Sequence, residues 1–167
     1  MPSPADTPLL DAILDSWDRN NRILVNLLHL VPQDLFDARP AEGSPSIAEL
    51  FGHIHYVRLV FVQEDAPDVA RPVPEQEYVA GTDAAAFEQM LHESAAAVRD
   101  AVRSRVETGR ATDRHYDHPI LMLQHHIWHE GYHHGQIKLT LKLAGRALSD
   151  KAVGRGTWGV WMRKTSA

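Results

Sequence analysis

Apolar residues recur at three- and four-residue steps through most of the chain, and no long stretch alternates apolar with polar. That period belongs to helices, not strands. The first segment opens near Thr7-Pro8, a capping residue followed by a proline suited to the first helical position. Leu9, Ile13, Trp17, Leu24, Leu28 and Val31 carry its stripe, and Pro32 ends it. Ser46-Ile47-Ala48-Glu49 has the form of a capping box and starts a second helix, with Ile47, Leu50, Phe51, Ile54, Val57 and Phe61 as its apolar face. A third begins near Thr82-Asp83 and carries Phe87, Leu91, Ala95, Val98, Val102 and Val106. A fourth starts near Asp117-His118-Pro119 and runs to about Gly145. The pattern predicts an all-α fold, a four-helix bundle.

The connections refine this picture. Residues 64–82, "EDAPDVARPVPEQEYVAGT", are rich in proline and too long for a tight hairpin, so they suit a crossover between helices. Residues 147–167 are glycine-rich with two tryptophans. They are expected to form an irregular tail whose Trp158 and Trp161 pack back on the bundle. At 167 residues the chain is expected to be a single domain, 1–167, with one substantial core.

Charge and composition remove several functions. A net charge of -5 gives no electrostatic case for nucleic acid or an anionic membrane. With no cysteine, the chain has no disulfide, thiolate metal site or cysteine nucleophile. The first residues lack a basic start followed by an apolar core, and no apolar run is long enough for a membrane span. A cytoplasmic protein is the expectation.

Histidine is the outlying count: 11, with His125, His126, His129, His133 and His134 clustered in the fourth helix. His129 and His133 lie one turn apart and about 40° apart round the axis, so both imidazoles can reach one ion. His126 shares their face as a partner to a ligand or as core filling. His134 faces roughly 100° away from His133. A third ligand from a facing helix would complete a site. His53 and His55 flank the stripe of the second helix on opposite sides, and the helical wheel alone does not choose between them. Without a metal, the same residues are ordinary core and surface histidines.

Residues 129–133 also spell His-Glu-x-x-His, the zinc-protease string, in which the glutamate polarises a water. The context fails. No glutamate follows Glu130 to serve as third ligand, the extended form would need glycine and histidine where Gln136 and Leu139 stand, and there are no strands to hold a peptide. Glu130 stays a candidate base, pointing about 100° from His129, or else a solvated residue.

"SIAELFGHIHYVR" together with "LQHHIWHEGYHHGQIKLTL" resembles the DinB family: one histidine on a leucine-rich helix, then His-x-x-x-His ahead of a Gly-Gln pair. The resemblance covers most of the chain except its tail. It implies a bundle of up-down-down-up order and the ligand set His53, His129 and His133, so it selects His53 over His55. It further implies a divalent metal such as zinc or nickel, a homodimer, and relatives that include thiol-dependent S-transferases and a mycothiol-dependent isomerase. Family motifs often have arginine before Gly-Gln, where this chain has His134, a position open to substrate or to solvent. The resulting expectation is a metal-dependent enzyme acting on a small molecule, by transfer of a low-molecular-weight thiol or by hydrolysis. The alternative is a non-catalytic, metal-binding, dimeric stress-response protein.

Overall fold

A computed structural model describes residues 6–162. Among them there is no strand, and six helices follow one another: α1 Asp6–Leu28, α2 Ile47–Asp65, α3 Ala84–Thr108, α4 Pro119–Leu143, α5 Asp150–Gly156 and α6 Trp158–Trp161. α3 packs against α1, α2 and α4, and α4 also against α1 and α2. Among the described residues no helix is long and apolar enough to cross a membrane.

Local signals set the helix ends. Ser46 accepts from the Glu49 amide while the Glu49 carboxylate accepts from the Ser46 amide, the capping box at the head of α2. Asp83 caps α3, and Gly109 ends it in the left-handed conformation at φ 66°. His118 caps α4 ahead of Pro119. The side chain of Thr7, the expected cap of α1, lies outside the described residues, and the helix already includes it.

Burial shifts two stripes from their expected positions. In α1 it is Leu10 and Leu14 that go inside, while Leu9 is 62% exposed. Leu10, Leu14, Trp17, Leu24 and Leu28 keep a continuous helical step, and Leu9 falls outside it. In α2, Val57 and Phe61 are only half-buried, and the interior face is carried by Leu59 and Val62. The tail is not irregular: it forms α5 and α6, both against α1. Ser149 caps α5, and Val153 and Val160 are the residues that go inside. Trp158 and Trp161 remain 58% and 42% exposed.

The core divides into two apolar clusters. One gathers Leu24, Phe36, Phe51, Phe87, Leu91, Ile137 and Leu141. The other gathers Leu14, Trp17, Leu59, Val62, Val98, Val102, Met122 and Leu123. Between them in chain order on all four long helices lie buried polar residues: Asn20 and Asn21 on α1, His55 and Arg58 on α2, Ser94 on α3, and His126, Glu130 and His133 on α4. His126 and His133 therefore belong to a polar layer crossing the helical core, with His53 and His129 at its edge.

This layer makes stability sensitive to acid. His126 is wholly buried, neither ring nitrogen has a hydrogen-bond partner, and burial, then the nearby Arg58 charge, push its pKa well below the usual histidine range. The folded chain holds the ring neutral, whereas the unfolded chain protonates it near pH 6.5. Unfolding then takes up a proton as pH falls, so this contribution is complete above about pH 6.5 and is lost below it, at a slope of up to about 1.4 kcal/mol per pH unit. Urea midpoints of the apo chain are expected to decline from pH 7 to pH 4.5, and His126→Leu is expected to flatten the decline. A variant with the wild-type slope would assign the effect to other groups.

Candidate metal centre

His53 on α2 and His129 and His133 on α4 meet across the helix pair, with one ligand atom from each within 4.8 Å of the others. His55, the other candidate on α2, is elsewhere: it is buried, and its Nδ1 lies 2.6 Å from the Met90 carbonyl of α3. Nε2 of His129 lies 3.2 Å from Nε2 of His53 and 3.0 Å from Nε2 of His133.

On His53 and His133 the opposite ring nitrogens set the tautomer. His53 Nδ1 donates to the Glu77 carboxylate at 2.7 Å. His133 Nδ1 donates to Gln136 Oε1 at 2.7 Å, and Gln136 Nε2 donates in turn to the Tyr132 hydroxyl at 2.9 Å. With each Nδ1 carrying the proton, the Nε2 lone pairs of His53 and His133 both face the Nε2 of His129. One proton on His129 answers only one of them. A cation at the meeting point answers all three, and neutral imidazoles tied at the far nitrogen are the usual donors to such an ion. The arrangement therefore fits a divalent metal.

Electrostatics agree. Burial first, then the two partner histidines, lowers the pKa of His129 to about 3. Burial likewise lowers that of His133, against the opposing hydrogen bond from Gln136. Both rings are held in the neutral, ligating form. His129 Nδ1 is sealed without a partner. His53 and His129 are only half-buried, so the cluster is not closed off on every side.

Two of the supporting groups escaped the sequence reading. Glu77 and Tyr78, whose ring stacks on His53 at 5.2 Å, come from the proline-rich connection, which has no periodicity to aim them. For Gln136 the available signal was its place three residues after His133, one helical turn along the same face.

The other candidates resolve differently. Glu130 is not solvated: it is 1% exposed, and both carboxylate oxygens accept from Arg58, at 2.7 and 2.8 Å. Asn20 Nδ2 donates to the same carboxylate at 2.5 Å. The Glu130 carboxylate is thus engaged inside the bundle by Arg58 and Asn20. His126 makes no hydrogen bond to a ligand. It lies among the rings of Trp17, Phe61 and His125 as core filling. His134 is half-buried with its Nε2 sealed, against α1 and the tail, and is not a plain surface histidine.

No curated protein and no solved structure gives a significant match to the chain. The family model of the DinB family matches residues 1–152, the stretch that carries α2, α4 and all three histidines of the cluster. With the histidine pattern, the helical fold and that match in agreement, the chain belongs to the DinB family.

Proposed function

We propose that His53, His129 and His133 hold a divalent ion, zinc or nickel, in a single-domain four-helix bundle of up-down-down-up order, and that the protein is a metal-dependent enzyme acting on a small molecule. The observation that carries this reading is the convergence of three Nε2 atoms, those of His53 and His133 backed by acceptors on Nδ1. A divalent ion supplies Lewis acidity that lowers the pKa of a thiol or water it binds. The chain's residues do the rest. Glu77 and Gln136 fix ring orientation and tautomer, Tyr78 covers one face of His53, and the burial of His129 excludes its protonated form. His53 and His129 are not fully buried, which leaves a small molecule a route to the ion. Transfer of a low-molecular-weight thiol to an electrophile is the leading reaction class, and hydrolysis the second. The test is conjugation of a panel of biological thiols to 1-chloro-2,4-dinitrobenzene by the metal-loaded protein. Turnover that disappears in His53→Ala is expected; an inert loaded protein across thiols and ester substrates would favour the non-catalytic reading.

The protein is further proposed to be a cytoplasmic homodimer. A Cβ added at Gly131 or Gly135 meets nothing within 4 Å, so neither glycine serves close packing among the described residues, and Gly131 borders a cavity between α1, α4 and the C-terminal helices. Beside them on α4, Trp128, Tyr132 and Leu139 are 76%, 57% and 53% exposed. Glycine in a helix costs about 1 kcal/mol relative to alanine, and a second backbone approaching this strip would use both the gaps and the apolar flank. Sedimentation equilibrium is expected to give twice the chain mass of 18.7 kDa. Gly135→Leu combined with Leu139→Glu is expected to raise the dissociation constant by more than about tenfold, as loss of a central apolar contact does. A dimer that survives both changes lies on another face.

A further inference from the structure

We propose that the cavity walled by α1, α4 and the C-terminal helices is a second binding site, distinct from the histidine cluster, for a small organic anion with an aromatic or branched apolar body. The cavity holds about 400 Å³, within the usual range for small-molecule sites. Ile23 and Leu24 of α1, Ile127 of α4 and Val153 of α5 make its walls apolar. Trp158 and Trp161 stand over it, both left substantially exposed. Two part-exposed indoles on one concavity offer flat apolar surface with a polar N–H edge, the usual equipment for gripping a ring.

The wall they belong to is fixed. Arg19 donates to the Val160 carbonyl at 2.6 Å, and Asn26 Nδ2 to the Gly156 carbonyl at 2.9 Å, pinning the tail to α1. A Cβ on Gly159 would lie 2.9 Å from the Gly154 carbonyl oxygen, so the two short helices meet backbone to backbone at glycine. Val153, Thr157, Trp158 and Trp161 all lie beyond the matched residues 1–152. The cavity is thus built partly from sequence outside the family match.

Charge selects the ligand. Glu130 lines the cavity, but its carboxylate is already balanced by Arg58 and occupied by Asn20. Lys138 lines it too, half-buried, with no ion-pair partner among the described residues. The unbalanced charge is therefore positive. A carboxylate or sulfonate against Lys138 gains a charge-assisted bond that a neutral molecule of the same shape cannot make. Lys138 lies about 180° round α4 from His129, so this site opens away from the histidine cluster.

The test is titration calorimetry of the full chain with 1-naphthaleneacetate and its neutral amide. The expected result is one site per chain, the acid binding about tenfold more tightly than the amide, as one charge-assisted bond gives. Lys138→Met is expected to bring the acid to the level of the amide, Trp158→Ala to weaken both, and His129→Ala to change neither. Four outcomes would overturn the proposal: no binding of either probe; equal binding of the two; loss of acid binding in His129→Ala with Lys138→Met unaffected; or acid binding that dissociates a dimer in sedimentation, which would assign the surface to a second copy of the chain.

Discussion

Replacing His129 with alanine is expected to lower the affinity for a divalent ion by more than about a hundredfold, while leaving the helical content of the chain in place. The size follows from geometry. His129 is the common neighbour of the other two, its Nε2 lying 3.2 and 3.0 Å from theirs. Without it, His53 and His133 are left on separate helices. Loss of a group that only backs a ligand costs about 10–100-fold in affinity, and loss of the ligand costs more. Glu77→Ala and Gln136→Ala are accordingly expected to fall within that smaller range. Helical content is expected to survive because two apolar clusters hold the fold, one on each side of the polar layer. Circular dichroism with metal analysis of untagged protein reads both halves. If the chain instead unfolds on chelation, binding energy is folding energy, and the metal is structural.

Which parts of this architecture could be read in advance follows from how local each cause is. The Ser46 box and the His118-Pro119 start of α4 depend on residues within one turn, and both stand as read. The pairing of His129 with His133 depends only on helical rise. The choice of His53 over His55 does not. Both flank the same stripe, and only the packing of α3, which takes up His55 through Met90, separates them. Leu9 was misread for a related reason: it adjoins Leu10, and a one-residue shift in phase decides which goes inside. The tail reads as irregular because its glycines and short segments carry little helical signal, yet Ser149 caps α5, and Arg19 and Asn26 of α1 donate to the Val160 and Gly156 carbonyls and hold the two short helices in place. The pairing of Arg58 with Glu130 was not legible. A charged residue at an interior position looks like a solvated one until its partner, 72 residues away in the chain, is known.

That pair carries the largest expected effect on stability. Arg58 and Glu130 are 0% and 1% exposed, and the guanidinium binds the carboxylate through both Nε and a terminal nitrogen. Arg58 also donates to the Asn21 side chain and the Leu91 carbonyl, each at 2.9 Å, and lies 4.8 Å from the centre of the Trp17 ring. It thus joins α1, α2, α3 and α4 at one point. Arg58→Ala leaves Glu130 as a buried carboxylate with Asn20 as its remaining donor, and removing one partner of a buried ion pair costs about 3–5 kcal/mol. For a chain of this size that corresponds to a fall in melting temperature of roughly 6–20 °C. Glu130→Ala is expected to cost a similar amount by stranding the guanidinium. The double replacement Arg58→Met with Glu130→Leu is expected to recover much of the loss, because two apolar side chains of comparable volume remove the desolvation cost along with the attraction. A thermal scan of the three variants decides it. If either single variant melts within about 2 °C of the wild type, less than 1 kcal/mol is at stake, and the pair is not what joins the helices through the polar layer.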